Sequence, residues 1–526
     1  MDENFELNPE SLKPKAAIPA TRVVRVRSVV MDGVEAAAVM VEATETESGQ
    51  GIDIVGLPDV AVRESRQRIL RAVRRYGVDI AQKKVLFNLA PATRRKVGTA
   101  LDLPMAVAYI AARTGQKLHL SRHFLLAGEI ALDGRAERLP FALPAAVLAR
   151  RMGLRGLIVP KSALEEAAMV DGIDVYGVSN CLEALEILRG EGNVPARAGA
   201  SPGAAALAGP DDFVEIRGQE AAKRGLVIAA AGGHNALMVG PPGSGKTMLA
   251  RALPGILPPL ELDRALEVAC IHAGIGLSRR ERFYQPPFRA PHHTASRQAL
   301  VGGGAIPRPG EVSLAHRGVL FLDELPEFQK DALEVLRQPL EDAEVIIARS
   351  REVRRYPASF SLIAAMNPCP CGWADDPSGR CSCTPRQLAR YRGRISGPLL
   401  DRIDLHLAVS RVPVEQILEG TAGMGAEAAR QQVAAARRVQ RDRYEGAGYR
   451  LNAHLPNRDL QRHCHLDANL RRRLMDLIRH LDLSGRAFVR VLRVARTLAD
   501  LDAREKLKDA DLLEALQYRS LDRVPC

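Results

Sequence analysis

Apolar and polar positions change rhythm several times along the chain, and the changes mark its parts. Short β-rich runs at 23–30, 37–42, 84–88 and 156–159 are separated by helical patterns such as 60–76, where apolar residues return every three or four positions. This alternation predicts an α/β domain over residues 22–190, behind a tail over 1–21. Between Gly190 and Pro210 the chain turns to Gly, Ala and Pro with little charge. Such a stretch cannot bury enough apolar surface to offset its ordering entropy, so residues 191–211 are expected to be a flexible linker. A second α/β module is expected over 212–412. From 413 to 526 the pattern is helical and rich in arginine, with helices predicted at 431–443, 467–481, 486–501 and 509–518. No internal repeat is visible.

The second module carries the most specific signal. The buried-strand pattern Ala236-Leu237-Met238-Val239 runs into Gly240-Pro241-Pro242-Gly243-Ser244-Gly245-Lys246-Thr247, and a helical stretch follows. A strand, a glycine-rich turn ending in Lys-Thr and a helix form a P-loop. The glycines let backbone N–H groups wrap phosphates at a helix N-terminus, Lys246 reaches the outer phosphates, and the Thr247 hydroxyl ligates magnesium. ATP with Mg2+ is the expected ligand. About seventy residues on, an apolar strand ends in Asp323-Glu324. Asp323 is suited to the magnesium shell and Glu324 to orienting the attacking water, which turns a nucleotide-binding site into a hydrolytic one.

Three further residues are candidates for that chemistry. Asn367 stands at the tip of a buried strand predicted at 359–365 and reads as a γ-phosphate sensor, or else as the cap of the next turn. Arg402, between Asp401 and Asp404, reads as an arginine finger donated to a neighbouring subunit, or else as a plain ion pair with one of those acids. Arg486 opens a C-terminal helix and reads as a second sensor of the nucleotide, ahead of Arg490 and Arg493.

Composition adds partners and compartment. A formal charge of +12 over 526 residues favours an anionic partner, nucleic acid before membrane. The acidic stretch 1–10 lacks an apolar signal core, and no run reaches the ~18 apolar residues of a membrane span, so a cytoplasmic protein is expected. Four of the eight cysteines, Cys369, Cys371, Cys381 and Cys383, fall within fifteen residues. Their two Cys-x-Cys pairs suit tetrahedral Zn2+, with reduced, unligated thiols as the competing reading.

The order of these motifs resembles the helix-2-insert branch of AAA+ proteins, and in particular the magnesium-chelatase-like family of YifB and ComM. The resemblance rests on the stretch from Pro287 through His292-His293 to Ser296, on Val301-Gly302-Gly303-Gly304, on Pro309 through Glu311 to His316, and on Leu322-Asp323-Glu324-Leu325-Pro326-Glu327-Phe328. It continues upstream through Ile54-Val55-Gly56-Leu57-Pro58-Asp59, Asn88-Leu89-Ala90-Pro91-Ala92 and Leu126-Ala127-Gly128-Glu129-Ile130. It implies a Lon-protease-like α/β domain, then an αβα AAA+ core with a helix-2 insert, and a helical lid. It further implies a homohexameric motor that migrates branched or single-stranded DNA in recombination and natural transformation, with recombination proteins as possible partners. By the same resemblance, Arg289, Arg297, Arg349, Arg351, Arg354 and Arg355 fall on pore loops that would hold phosphates; arginines solvated on a hairpin are the bland competitor. His292, His293 and His316 are expected to be structural or pore residues. Where a Lon-type enzyme presents its serine this chain has Asp102, and only Thr99 with Lys96 offers a substitute, so the N-terminal domain is expected to be a scaffold. Two rival readings keep the fold and change the client: a magnesium-chelatase-type subunit that drives metal insertion, and an ATP-dependent protease.

Overall fold

The computed structural model describes residues 22–46, 49–80, 83–191, 213, 216–304, 307–349, 352–374, 379–413, 425–481 and 483–519. The expected tail, the expected linker apart from Glu191, Arg351 and the side chain of Arg349 lie outside the described residues. Two compact units form, Met1–Pro202 and Gly203–Cys526.

In the first unit, β1 (Val24–Asp32) and β2 (Glu35–Glu45) make an antiparallel hairpin, followed by β3 (Gly51–Val55) and β4 (Lys84–Ala90) in a sheet of order β1-β2-β4-β3. Strict alternation on β2 turns Val39, Val41 and Ala43 inward. The helices Val60–Arg75 and Asp102–Thr114 cover that face, the first capped by Asp59, whose carboxylate accepts from Val62 N at 2.8 Å. A second sheet, all parallel, joins β5 (Phe124–Leu126), β6 (Gly156–Pro160) and β7 (Asp174–Val178). Asp102 is fully buried and forms an ion pair with Arg68 at 2.6 Å, and Lys96 Nζ donates to the Pro91 carbonyl. Both side chains are thus held by structural partners.

The second unit is built on five short parallel strands in the order β16-β8-β15-β12-β9. They are β8 (Ala236–Val239), β9 (Phe288–Arg289), β12 (Val319–Leu322), β15 (Ser361–Met366) and β16 (Leu405–Ala408). Continuous apolar runs such as Val-Leu-Phe-Leu in β12 suit strands buried on both faces. Two small hairpins branch from the sheet: β10 (Gly302–Gly303) with β11 (Arg308–Pro309), and β13 (Glu344–Arg349) with β14 (Glu352–Pro357).

The helices Ala426–Arg443, Ala468–His480, Gly485–Leu501 and Asp509–Gln517 follow the predicted ones closely and share one hydrophobic core with the sheet, where Val433, Val491 and Leu512 join Leu226, Met238 and Leu249. A buried polar link reinforces this packing. Asp404 accepts from Arg490 Nη1 at 2.7 Å and from Asn235 N at 3.2 Å, and His234 Nε2 lies 2.7 Å from Thr497 Oγ1. Among the described residues no helix is long and apolar enough to cross a membrane.

Candidate active site

Because the sheet is parallel, the segments after β8, β12, β15 and β9 all emerge at one edge, its carboxyl edge. The P-loop, Asp323-Glu324, Asn367 and His292-His293 therefore meet although they are far apart in sequence. Gly243 and Gly245 take φ of 73° and 89°, the left-handed region, and bend the chain into the helix Lys246–Ile256. Lys246 Nζ donates to the carbonyls of Gly240 (2.7 Å) and Pro241 (2.9 Å) and to Asn367 Oδ1 (3.3 Å). Burial lowers its pKa, against the opposing charges of Asp323 and Glu324. The result is a half-desolvated ammonium at a helix N-terminus, suited to an anion.

Thr247 Oγ1 donates to Asp323 Oδ2 at 2.7 Å. Magnesium with oxygen ligands at about 2.1 Å sets neighbouring ligands about 3 Å apart, so this hydroxyl–carboxylate pair fits two adjacent positions of its shell. Asp323 Oδ1 accepts the Glu324 N–H at 2.9 Å. Glu324 itself is at φ +51°, unusual for a side-chain-bearing residue, and its carboxylate is exposed toward the site. His293 Nδ1 stands 3.2 Å from Glu324 Oε2, and the ring of His292 lies against that of His293 with centroids 4.1 Å apart. The sequence reading missed His293 as a site residue. The signal that could have found it is β9: a short strand beside β12 delivers whatever follows it to the same edge.

The two candidate arginines lie elsewhere. Arg402 precedes β16, whose Leu405 pairs with Ala236 at the start of β8, and its carbonyl accepts from Asn235 at 2.8 Å. It sits at the amino edge, a full strand or about 13 Å from the P-loop of its own chain. Neither acid beside it in sequence is its partner: its guanidinium bonds the Pro398 carbonyl at 2.6 Å and the carboxylate of Glu341. Arg486 Nη1 pairs with Asp401 Oδ2 at 3.1 Å on the same edge and is largely exposed, at 73%. Arg490 and Arg493 are held by Asp404 and by the Leu455 carbonyl.

Among the candidate phosphate contacts, Arg289 has both arms of its fork on Glu311, at 2.6 and 2.8 Å. Arg297 is exposed at the start of the helix Arg297–Val301. Arg354 and Arg355 lie on β14 opposite Ile347 and Ile346, with Arg355 Nη1 2.9 Å from Glu344.

The cysteines come together as four sulfurs within 4.8 Å of one another. Cys369 and Cys381 are 3.8 Å apart, and Cys371 and Cys381 3.7 Å. A tetrahedral zinc with Zn–S of about 2.3 Å spaces its sulfurs about 3.8 Å apart, so the donor set fits one ion.

Comparison with known proteins agrees with this geometry. Residues 212–417 match the family model described as magnesium chelatase, subunit ChlI; residues 41–163 match subunit ChlI of Mg-chelatase; residues 423–519 match the C-terminal part of that subunit. The chain is 42% identical to a YifB protein of Salmonella typhimurium over 498 residues, which span 94% of this chain and 96% of that one. It is 40% identical to the competence protein ComM of Haemophilus influenzae, again over 94% and 96%. The 67 kDa magnesium-chelatase subunit of Chlorobaculum tepidum is 27% identical over 162 residues, 30% of this chain and 23% of that protein. With so long a match at this identity, and with the P-loop, the acidic pair and the inserted histidine loop converging at one sheet edge, the chain belongs to the magnesium-chelatase-like AAA+ family of YifB and ComM.

Proposed function

We propose that this protein is an ATP hydrolase that works as a ring, in which each nucleotide site is completed by a neighbouring copy. The observation that carries the reading is the split between the two edges of the sheet. Lys246, Thr247, Asp323, Glu324 and Asn367 gather at the carboxyl edge, while Arg402 and Arg486 sit together at the amino edge. In a ring the amino edge of one subunit faces the nucleotide of the next, and Arg402 stabilises the charge on the transferring phosphoryl with Arg486 beside it. Lys246 and Thr247 bind ATP-Mg2+ with Asp323, Glu324 orients water, and Asn367 senses the γ-phosphate.

The client in this reading is DNA, branched or single-stranded, moved as a homohexamer in branch migration during recombination and natural transformation. The net charge of +12 and the 40% identity to a competence protein support it. Metal insertion is the second reading, favoured by the chelatase relative, but that likeness spans only 162 residues. The first unit, which the resemblance reads as Lon-like, serves as a scaffold, since Lys96 and Asp102 are engaged with Pro91 and Arg68. The test is the ATPase rate with and without a four-way DNA junction, titrated with salt. Stimulation that fades with salt supports a DNA motor; a rate indifferent to DNA moves the reading to metal insertion.

A further inference from the structure

We propose that Cys369, Cys371, Cys381 and Cys383 hold one structural zinc ion, and that this ion fixes the loop against which the P-loop rests. The four sulfurs lie within 4.8 Å of one another, and all four cysteines are free. All three sulfur–sulfur separations are too long for a disulfide; those of 3.8 and 3.7 Å match the edges of one tetrahedron, and the third, between Cys369 and Cys371, is shorter at 3.2 Å. A cluster of several irons would hold the sulfurs much farther apart. With four protein ligands the coordination sphere is closed, which is the arrangement of a structural ion rather than a catalytic one.

The surroundings suit such an ion. Cys369 is buried, and its sulfur accepts the Ala374 N–H at 3.1 Å, the contact expected of a ligand thiolate. Four thiolates around one zinc leave a net charge of −2. Two guanidiniums stand close by, with Arg411 Cζ 4.4 Å and Arg380 Cζ 5.1 Å from the centre of the Trp373 ring.

The same loop touches the P-loop by three routes. A Cβ added at Gly372 would stand 2.6 Å from Pro242 Cδ, so the loop backbone packs directly on the proline ring. Arg411, lying over Trp373, donates to the Pro242 carbonyl at 3.3 Å. Asn367, two residues before Cys369, accepts from Lys246. An ion that fixes the cysteine turns therefore fixes the backbone beside Pro242 and the position of Asn367. The coupling to nucleotide rests on the function proposed above; the metal site does not.

Trp373 is the sole tryptophan of the chain, so fluorescence excited selectively at tryptophan reports this loop alone. The experiment uses full-length protein purified without a histidine tag. Elemental analysis should find about one zinc per chain. Stripping the metal with a thiol-reactive mercurial and a chelator, then reducing, should shift the Trp373 emission and weaken the affinity for a fluorescent ADP analogue by roughly tenfold. Re-addition of zinc should restore both. The pair Cys381→Ser and Cys383→Ser should lack zinc, and reversible stripping of the wild type keeps the test valid if that variant does not fold. Protein with no zinc, or with iron in its place, that still binds the analogue overturns the metal site and leaves the nucleotide reading standing. Zinc whose removal leaves the affinity unchanged overturns the coupling.

Discussion

His293 Nδ1 lies 3.2 Å from Glu324 Oε2, joining a residue of the inserted loop to the carboxylate best placed to activate water. Glu324 already has a constrained backbone at φ +51°, and the histidine fixes the far end of the same side chain. If Glu324 orients the attacking water as proposed above, His293 acts as a positioning residue. His293→Ala should lower kcat roughly tenfold while leaving nucleotide affinity unchanged, and His293→Gln, which keeps a donor, should recover part of the loss. Steady-state ATPase rates beside fluorescent-nucleotide titrations separate the two effects; an unchanged kcat would remove the role.

Lys246 and Glu324 should fail in different ways. Lys246 Nζ is the buried cation at the helix N-terminus, so Lys246→Ala should abolish nucleotide binding. Glu324 touches neither the P-loop nor Thr247 in the hydrogen bonds described, so Glu324→Gln should bind ATP normally and lose at least roughly a hundredfold in turnover. Calorimetric binding and a phosphate-release assay on both variants check this.

Much of this site was legible in the sequence because its parts are contiguous. The strand-loop-lysine pattern at 236–247 and the apolar run into Asp323-Glu324 each lie on a few neighbouring residues, and β8 has the bounds the pattern predicts. The C-terminal helices with strong apolar periodicity, such as Gly485–Leu501, were legible for the same reason. What could not be read depends on contacts between distant segments. The link from His293 to Glu324 needs β9, a strand of two residues with no periodicity to detect. The pairing of Arg289 with Glu311 and the seating of Gly372 on Pro242 likewise appear only once the sheet has brought separate loops to one edge.

Arg402 and Arg486 stand about a strand length from the P-loop of their own chain, so their effect should be testable by mixing subunits. Arg402→Ala alone and Lys246→Ala alone should each be nearly inactive. Mixed together they should regain a measurable fraction of wild-type ATPase, because some interfaces then pair an intact P-loop with an intact finger. A mixture no more active than its components counts against action between subunits.

Asp404 ties the sheet to the helix Gly485–Leu501 through Arg490 at 2.7 Å, and both side chains are largely buried. Removing one charge strands the other, at a cost of about 3–5 kcal/mol. Arg490→Met should therefore lower the unfolding midpoint sharply, and the double change with Asp404→Asn should recover part of that loss. Urea titrations of the single and double variants measure the coupling; additive losses would mean that the pair is not a unit.

Acid should destabilise the second unit before it affects ordinary carboxylates. Burial is the main cause that lowers the His272 pKa from 6.5 to about 4, reinforced by Arg279, while the Leu314 carbonyl at 2.9 Å opposes it. Burial likewise takes His406 to about 3 and His454 to about 4. Each ring stays neutral in the folded chain but gains a proton on unfolding below pH 6.5. Between pH 6.5 and 4 the unfolded state binds more protons, so stability is full above about 6.5 and falls as pH drops toward 4. At pH 5 each such histidine costs roughly 2 kcal/mol relative to pH 7. His272→Gln should remove about one share of that slope, so the gap in unfolding free energy between pH 7 and pH 5 should be smaller in the variant than in the wild type. Equal gaps would show that His272 does not titrate in this way.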